Sequence, residues 1–370
     1  MSTELTDYLQ QTFEYLHSNP EISWKEFQTT SFIKKELTKL GFHVQTFEDC
    51  TGVIGEIGTG KPVVAVRADM DALWQEVDGE YKAIHSCGHD AHMTIVLGVA
   101  KKLKDLSLDG TVRLIFQPAE EKGTGALKMI EKGVIDDVDY LFGVHLRPIQ
   151  ETTFGKASPA LFHGANASYI GEIMGDDAHG ARPHLNVNAI EVGMHIVSAL
   201  SHIHLDPRIP YSVKMTRFIA GGDSSNIIPG HASFTLDLRA QTNEAMAELK
   251  EKVEHMISTI ATTYQTNIIV EEEAGVVAAR VHEEAQHIMQ QAIENILGAE
   301  NIEPPITTTG GDDFHFYTVH KPELKATMLG LGCDLKPGLH HPKMVFKTEA
   351  ILDGVNILTE AVKLTLKQNS

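Results

Sequence analysis

Three short apolar runs in the first half of the chain each end in polar side chains, and this pattern constrains the fold more than any other feature. The runs are Val63–Val66, Val112–Phe116 and Tyr140–Val144. Short apolar runs that alternate with helical segments predict buried parallel strands. The residues that follow these runs include Asp69, Glu120, Glu121 and His145. Because open α/β sheets bind ligands outside the carboxyl ends of their strands, we expect these side chains to lie together at one edge of a sheet.

A second cluster lies in Ser86–His92, which brings a thiol, two imidazoles and a carboxylate into one short segment, and a histidine pair, His340–His341, stands near the end of the chain. Taken singly, a buried cysteine is usually a small hydrophobe, and a histidine is usually a structural or surface residue. Together, thiolate, imidazole and carboxylate groups suit a borderline-soft divalent ion such as zinc, cobalt, nickel or manganese. The paired glutamates Glu120 and Glu121 provide one group for a metal and one for moving protons.

Composition excludes several classes of protein. The chain has 370 residues, of which 42% are hydrophobic and 22% are charged, a balance typical of a soluble globular protein. A net charge of −19 works against nucleic acid or an anionic membrane as a partner. Three cysteines are too few for a disulfide framework and suit a reducing compartment. Because no signal-peptide pattern and no membrane-spanning apolar run occur, we expect a cytoplasmic protein.

Periodicity divides the chain into three parts. Residues 1–165 and 279–370 alternate helices and strands, and we expect them to form one α/β catalytic domain. Residues 166–278 follow the order strand-helix-strand-strand-helix-strand, which predicts an inserted ferredoxin-like α+β domain. The edge strands of such an insert can pair in a homodimer, and its two crossings would allow it to close as a lid.

The segment Gly55–Pro62 is close to the sequence motif of a phosphate-binding P-loop. Pro62 stands where Ser or Thr would hold magnesium, and no helical pattern follows it. We therefore interpret the stretch as a hairpin turn between two strands.

The sequence resembles the aminoacylase-like metallopeptidases, and specifically their amidohydrolase branch, which includes auxin-conjugate hydrolases, hippurate hydrolases and N-acyl-amino-acid deacylases. The blocks that carry the resemblance are Arg67–Leu73, Cys87–His92, Phe116–Glu121, Phe142–His145, Asn226–Pro229, Asp312–Phe314 and His340–Pro342. With helices fitting at both ends, the resemblance covers essentially the whole chain. It implies a mixed-sheet, two-metal aminopeptidase-like catalytic domain with an inserted lid and dimerisation domain.

The resemblance also implies roles for particular residues. The implied ligands of two divalent ions per subunit (zinc, manganese, cobalt or nickel) are Cys87, His89, Glu121, His145 and His340. Glu120 is similar to the general base, and Asp90 is expected to hold the far nitrogen of a ligand histidine. His92 is expected to orient the start of its helix.

The insert carries its own candidates by resemblance. His179 would stabilise the developing oxyanion, in its own subunit or across a dimer. Asn226 and Arg239 are similar to residues that hold the free carboxylate of a substrate. The structural alternatives are that Asn226 caps a turn and that Arg239 covers sheet surface.

The leading functional hypothesis is a metal-dependent amidohydrolase that cleaves the amide bond of N-acyl amino acids or similar small-molecule conjugates through a metal-activated water. The alternatives are a dipeptidase or aminopeptidase on the same scaffold, which would need an acidic group for a free amine, and a catalytically silent metal-binding assembly protein. The sequence departs from the branch pattern at Trp74–Gln75, Leu236–Arg239 and Gly311–Phe314. These departures leave the implied ligands intact and leave the acyl group and the amino acid open.

Overall fold

A computed structural model describes residues 2–368 of the chain. Its α-helices are α1 (Ser2–Ser18), α2 (Phe27–Lys39), α3 (His89–Leu103), α4 (Gly125–Glu131), α5 (Ala189–Leu200), α6 (Asn243–Tyr264), α7 (Glu283–Leu297), α8 (His315–His320) and α9 (Ala350–Gln368). Short 3₁₀ turns cover Glu120–Lys122, Pro183–Leu185 and Ala299–Asn301.

The strands in the first part of the chain are β1 (His43–Thr46), β2 (Val53–Gly58), β3 (Val63–Asp69), β4 (Leu73–Val77), β5 (Glu80–Ile84), β6 (Thr111–Gln117), β7 (Tyr140–Pro148), β8 (Ala157–Ser158) and β9 (Leu161–His163). The later strands are β10 (Ala165–Met174), β11 (Ala178–His179), β12 (Tyr211–Ala220), β13 (Ile227–Ile228), β14 (Ala232–Ala240), β15 (Asn267–Val276), β16 (Ile306–Thr308) and β17 (Lys325–Leu335).

The chain divides into two compact units. The first unit comprises the residues up to 162, residues 280–307 and the residues from 313 onward. The second unit comprises residues 163–279 and 308–312. The segment that the sequence predicts as an insert, residues 166–278, lies in the second unit, and its role as a lid stays a prediction.

The first unit is built on a mixed seven-stranded sheet with the order β1-β2-β6-β3-β7-β17-β8. Strands β6, β3, β7 and β17 run parallel to their neighbours in that series, and the flanking strands are antiparallel. The apolar runs are therefore parallel strands, as their pattern predicts. Helices α1, α3, α7 and α9 contribute to the core on one face, whereas α4 and α8 contribute to a second core. The α/β fold class is confirmed.

The second unit has an antiparallel four-stranded sheet in the order β12-β14-β10-β15. Apolar residues of α5 and α6 share one core with the buried face of β14, which alternates buried and partly exposed positions along its length. Both helices begin at a side-chain cap: Asn188 accepts a hydrogen bond from Ile190 N, and Thr242 accepts one from Ala245 N. The order of strands and helices matches the ferredoxin-like pattern expected of this segment.

One local expectation is wrong. Gly55–Pro62 does connect β2 to β3, but these two strands do not pair with each other, because β6 lies between them and pairs with both. The segment is a connection between separated strands and not a hairpin turn. Among the helices within residues 2–368, none is long and apolar enough to cross a membrane.

Candidate metal and catalytic site

The carboxyl ends of β3, β6 and β7 lie together because these strands are adjacent and parallel. Helix α3 begins beside them at His89, immediately after Gly88. The φ of Gly88 is +87°, and a Cβ atom there would lie 2.9 Å from Leu146 Cδ1, so this turn requires glycine. The turn brings Cys87 and the start of α3 to the edge of the sheet.

His89 is oriented by a single backbone contact. Its Nδ1 lies 2.8 Å from the Asp71 carbonyl oxygen, and a carbonyl can only accept, so Nδ1 carries the proton. In the neutral ring Nε2 then carries no proton, and its lone pair is free to bind a metal ion. Nε2 is buried, lies 3.9 Å from Glu120 Oε2 and from Glu121 Oε1, and makes no hydrogen bond within the described residues. A histidine held in this way is prepared to bind a cation.

His145 on β7 is also oriented by a backbone carbonyl. Its Nδ1 donates to the Leu146 carbonyl oxygen at 2.7 Å, which leaves Nε2 unprotonated in the neutral ring. Nε2 lies 3.6 Å from Cys87 Sγ. The thiol and the ring nitrogen therefore face each other at the edge of the sheet.

His340 reaches the site from a loop near the end of the chain. Its backbone φ is +61°, which is rare for a residue other than glycine. Its amide donates to Ser86 O at 2.7 Å, and its carbonyl accepts from Gln75 Nε2 at 2.9 Å. Its ring Nε2 lies 3.5 Å from Glu121 Oε1.

The donor atoms of these residues fall into overlapping groups, within each of which all donor atoms lie within 4.8 Å of one another. The groups are Cys87 with His89 and His145, Cys87 with Glu121 and His340, and His89 with Glu120 and Glu121. Cys87 belongs to two of the groups. The mixture of thiol, imidazole and carboxylate suits a borderline-soft divalent ion.

The electrostatics of the site also fit a cation. Burial raises the pKa of the Cys87 thiol well above its ordinary value, and the nearby Glu121 carboxylate adds to the rise. Burial raises the pKa of Glu121 to about 7. Burial lowers the pKa of His89, but the charges of Asp69 and Cys87 and the hydrogen bonds of the ring together outweigh burial, so the net shift is upward. Anionic donors that are costly to ionise in a buried place are those that a divalent cation stabilises.

Another buried acidic residue, Asp69, makes hydrogen bonds that stabilise the fold. Its carboxylate accepts from Arg67 Nη1 at 2.6 Å and from His92 Nδ1 at 2.7 Å. His92 Nε2 in turn accepts from Leu146 N at 3.0 Å, so both ring nitrogens of His92 are used. His92 therefore ties α3 to β3 and β7, in agreement with its expected structural role.

The expectation for Asp90 is wrong. Its carboxylate lies 2.6 Å from His17 Nδ1 and accepts from Ala91 N, and it contacts no histidine of the donor groups. As the second residue of α3, Asp90 points toward α1, whereas the far nitrogen of His89 is held by the backbone of Asp71.

Asp71 lies in the Arg67–Leu73 block, and the structure shows a role for it that the sequence pattern does not indicate. Its carboxylate accepts from Glu120 N at 3.0 Å, from Glu121 N at 3.1 Å and from Ser23 Oγ at 2.6 Å. Together with the contact to His89, one residue thus orients both glutamates and an imidazole. The sequence signal for this role is the position of Asp71 two residues past the end of β3, at the same sheet edge.

The candidates of the second unit are exposed. His179 ends β11, and its Nδ1 accepts from Ala181 N at 3.0 Å, so a neutral ring carries its proton on Nε2. The carbonyl of Asn226 accepts from Gly180 N at 2.7 Å, which brings Asn226 beside His179. Arg239 is paired with Asp237 through Nε at 3.0 Å and Nη2 at 3.3 Å.

Comparisons with known proteins agree on one family. The family described as Peptidase family M20/M25/M40 matches residues 65–364. The chain is 33% identical over 319 residues to the IAA-amino acid hydrolase ILR1-like 5 of Arabidopsis thaliana, which covers 82% of this chain and 73% of that protein. It is 31% identical over 378 residues to the N-acetyl-L-cysteine deacetylase of Bacillus subtilis (strain 168), covering 96% of this chain and 87% of that protein.

A solved structure is similar over the full length. It is the YXEP protein of Bacillus subtilis, described as a dinuclear metal binding peptidase from the M20 family. The similarity has a TM-score of 0.82 at 26% sequence identity and covers 98% of this chain and 99% of that chain.

Proposed function

Because the chain belongs to peptidase family M20/M25/M40, we propose that it is a metal-dependent amidohydrolase that cleaves the amide bond of N-acyl amino acids or similar amino-acid conjugates. Relatives named for hydrolysing such compounds support this class of substrate. The observation that carries the proposal is the group of donors around Cys87, beside which Glu120 stands as a second carboxylate.

Two divalent ions per subunit are part of this proposal. Their ligands would be Cys87, His89, Glu121, His145 and His340. Membership of Cys87 in two donor groups supports two ions and not one, and the description of the YXEP protein as dinuclear supports the same number. The donor types support zinc, manganese, cobalt or nickel.

When bound, such ions polarise an amide carbonyl and make water more acidic. The residues of the chain then carry the protons. Glu120 accepts a proton from the water while the oxygen of the water adds to the carbonyl carbon. Glu120 next delivers that proton to the amide nitrogen as the C–N bond breaks, so that a carboxylic acid and a free amine are released. Near-complete burial of the Glu120 side chain, which is 11% exposed, limits loss of the proton to bulk water.

We assign the remaining roles to the second unit. In the tautomer favoured by the Ala181 contact, His179 offers an Nε2–H donor, which is what a developing oxyanion requires. Arg239 has its Nε edge on Asp237 and its Nη1 3.3 Å from Thr309 O, and its remaining N–H groups can receive a substrate carboxylate. Asn226 would add a further polar contact.

A dipeptidase or aminopeptidase is the second candidate, and one observation favours it. A substrate with a free amine needs an acidic partner, and Asp237 lies beside Arg239 on the same strand. Both oxygens of Asp237 already accept from Arg239, so the ammonium group of such a substrate would share this carboxylate with Arg239.

A substrate panel distinguishes the two candidates. Metal-reconstituted protein is incubated with N-acyl amino acids, amino-acid conjugates and unblocked dipeptides, and release of the free amino acid is measured. We expect kcat/KM to be highest for an N-acylated compound. Preference for unblocked dipeptides would favour the second candidate, and no hydrolysis of any compound would contradict both.

We also propose that the protein is a cytoplasmic homodimer that pairs through the second unit. Edge strand β15 carries the acidic run Glu271–Glu273, which discourages pairing. The opposite edge, β12, lies next to α5, whose exposed face presents Ile190, Met194 and Val197. An apolar face beside an unpaired edge supports pairing there. The unpaired state of the three cysteines supports a reducing compartment.

A further inference from the structure

The backbone between β6 and α4 presents consecutive amide groups to buried carboxylates. Glu120 N and Glu121 N donate to the two oxygens of Asp71 at 3.0 and 3.1 Å. The preceding amide, Ala119 N, donates to Glu26 Oε1 at 2.9 Å. Ala119 is fully buried and has a φ of +52°, a left-handed conformation that is uncommon for alanine. This sharp turn determines the direction in which Glu120 leaves the strand.

Glu26 has an unusual position for a glutamate. It precedes the first residue of α2, where a polar side chain normally caps its own helix, yet it makes no such cap. Glu21 supplies that function instead, accepting from Thr29 N at 2.8 Å and from Gln28 N at 3.1 Å. The carboxyl group of Glu26 is fully buried and accepts from Thr51 Oγ1 at 2.6 Å in addition to Ala119 N.

Burying a carboxyl group is costly unless its contacts repay the loss of water. A capping role at the surface would need no burial, and an apolar side chain would fill the same space at lower cost. Glu26 differs from an ordinary buried carboxyl group because its oxygen accepts a hydrogen bond from Ala119, the residue with the strained left-handed backbone. Buried strain at a functional site persists only where the surroundings over-determine it.

Resting on the proposed function, we infer that Glu26 is a positioning residue for Glu120: it fixes the left-handed turn at Ala119 and thereby aims the general base. Glu26 contacts none of the proposed metal ligands. Asp71 differs in this respect, because it contacts both Glu121 N and His89. A substitution at Glu26 is therefore expected to change the orientation of Glu120 without changing metal binding. A substitution at Asp71 would change both.

The test compares three variants with the wild-type protein, each loaded with metal. Glu26→Ala removes the acceptor of Ala119 N. Glu26→Gln keeps an amide oxygen for Ala119 N and a polar group for Thr51. Glu21→Ala is the matched control, because it removes a nearby carboxylate that caps α2 and leaves the turn untouched. The readouts are kcat, KM, bound metal per chain and hydrogen–deuterium exchange of the peptide that contains residues 117–123.

We expect Glu26→Ala to lower kcat by about 10²-fold, since a displacement of about 1 Å at a reacting group has that effect. KM and metal content should change little, and the 117–123 peptide should exchange faster. Glu26→Gln should recover kcat to within about threefold of wild type and restore protection from exchange. Glu21→Ala should lower the melting temperature without changing kcat or the exchange of this peptide.

The inference is overturned if Glu26→Ala keeps wild-type kcat, or if it loses metal together with activity. Hydrogen–deuterium exchange of the 117–123 peptide tests whether Glu26 fixes the turn, and it does so without a turnover assay. If the wild-type protein hydrolyses no compound of the panel, the proposed function fails. Unchanged exchange of the 117–123 peptide in Glu26→Ala then rejects the turn-fixing role, and faster exchange rescued by Glu26→Gln supports it.

Discussion

At the scale of single residues, the two neighbouring glutamates of the site differ in what surrounds them. Glu121 Oε1 lies 3.5 Å from His340 Nε2 and 3.9 Å from His89 Nε2, between two ring nitrogens that can bind a cation. Glu120 approaches His89 Nε2 at 3.9 Å and belongs to neither of the donor groups that contain Cys87. The two carboxylates are therefore suited to different tasks.

Isosteric changes separate these tasks. Glu120→Gln should keep its metal and lose about 10²–10⁴-fold in kcat, because removal of a general base has effects of that size. Glu121→Gln should lose metal occupancy, since an amide oxygen is a weaker ligand than a carboxylate. Elemental analysis of bound metal and steady-state kinetics on both variants check this. Near wild-type kcat in metal-loaded Glu120→Gln would remove Glu120 from its role as the base.

The pH dependence of stability reports on Glu26. Burial, with a smaller contribution from the charge of Asp71, raises the pKa of Glu26 to about 7 from 4.5, against the lowering effect of the Thr51 and Ala119 contacts. Between these two values the folded protein keeps the proton that the unfolded chain has lost. Rising pH therefore destabilises the wild-type protein by up to about 1.4 kcal/mol per pH unit through this group.

Glu26→Gln has no proton to lose, so its stability relative to wild type should increase from pH 5 to pH 7. Chemical denaturation of both proteins at matched metal concentration measures the difference. Dependence of metal binding on pH is common to both and cancels. A difference that stays constant over this interval would show that the pKa of Glu26 is not raised.

At the scale of elements, the sequence predicts what local patterns encode. The parallel strands β3, β6 and β7 follow from their apolar runs, and the donors at their ends meet because parallel strands share a carboxyl edge. The hairpin of β4 and β5 also has a local sequence signal. Asp78–Gly79 forms its two-residue turn, and both residues have positive φ, at 52° and 89°.

Contacts between distant parts of the chain could not be predicted. Glu26 meets Ala119, which is 93 residues away in the sequence, and Gln75 meets His340, which is 265 residues away. Nothing in composition or periodicity encodes such a pair, because each contact depends on how several elements pack. The contact between Asp90 and His17, which are 73 residues apart, depends on packing in the same way.

The hairpin gives a prediction about metal affinity. Gln75 links two loops that carry proposed metal ligands, since its Oε1 accepts from Ser86 Oγ at 2.7 Å and its Nε2 donates to the His340 carbonyl. Gln75→Ala should weaken binding of one ion by about 10–100-fold, the usual effect of removing a group that orients a ligand. Competition with a chromophoric chelator measures this.

Glu76→Gln is the control for Gln75→Ala, because Glu76 is the next residue of β4 and is exposed. It should leave both affinities unchanged. Equal affinities in Gln75→Ala and wild type would mean that His340 holds its place without the hairpin.

At the scale of the whole molecule, the proposed homodimer pairs through the second unit. If the face of α5 beside β12 forms the dimer, Met194→Asp should produce a monomer, because Met194 is 65% exposed in the single chain and would be buried by the partner. Ile269→Asp on the opposite edge strand, where Ile269 is 42% exposed, is the control and should remain dimeric. Light scattering at micromolar concentration gives the masses, and a monomeric wild-type protein would reject the dimer.

Hydrolysis of amides with divalent ions held by the cysteine, histidines and glutamate of this chain is the proposal on which the other roles depend. Its most direct test is a titration of metal into chelator-stripped protein, with turnover of the best N-acylated compound of the panel followed at each addition. We expect no turnover without metal and a rate that rises to a plateau at two equivalents of ion per chain. Full turnover in the stripped protein, verified metal-free by elemental analysis, would contradict the claim.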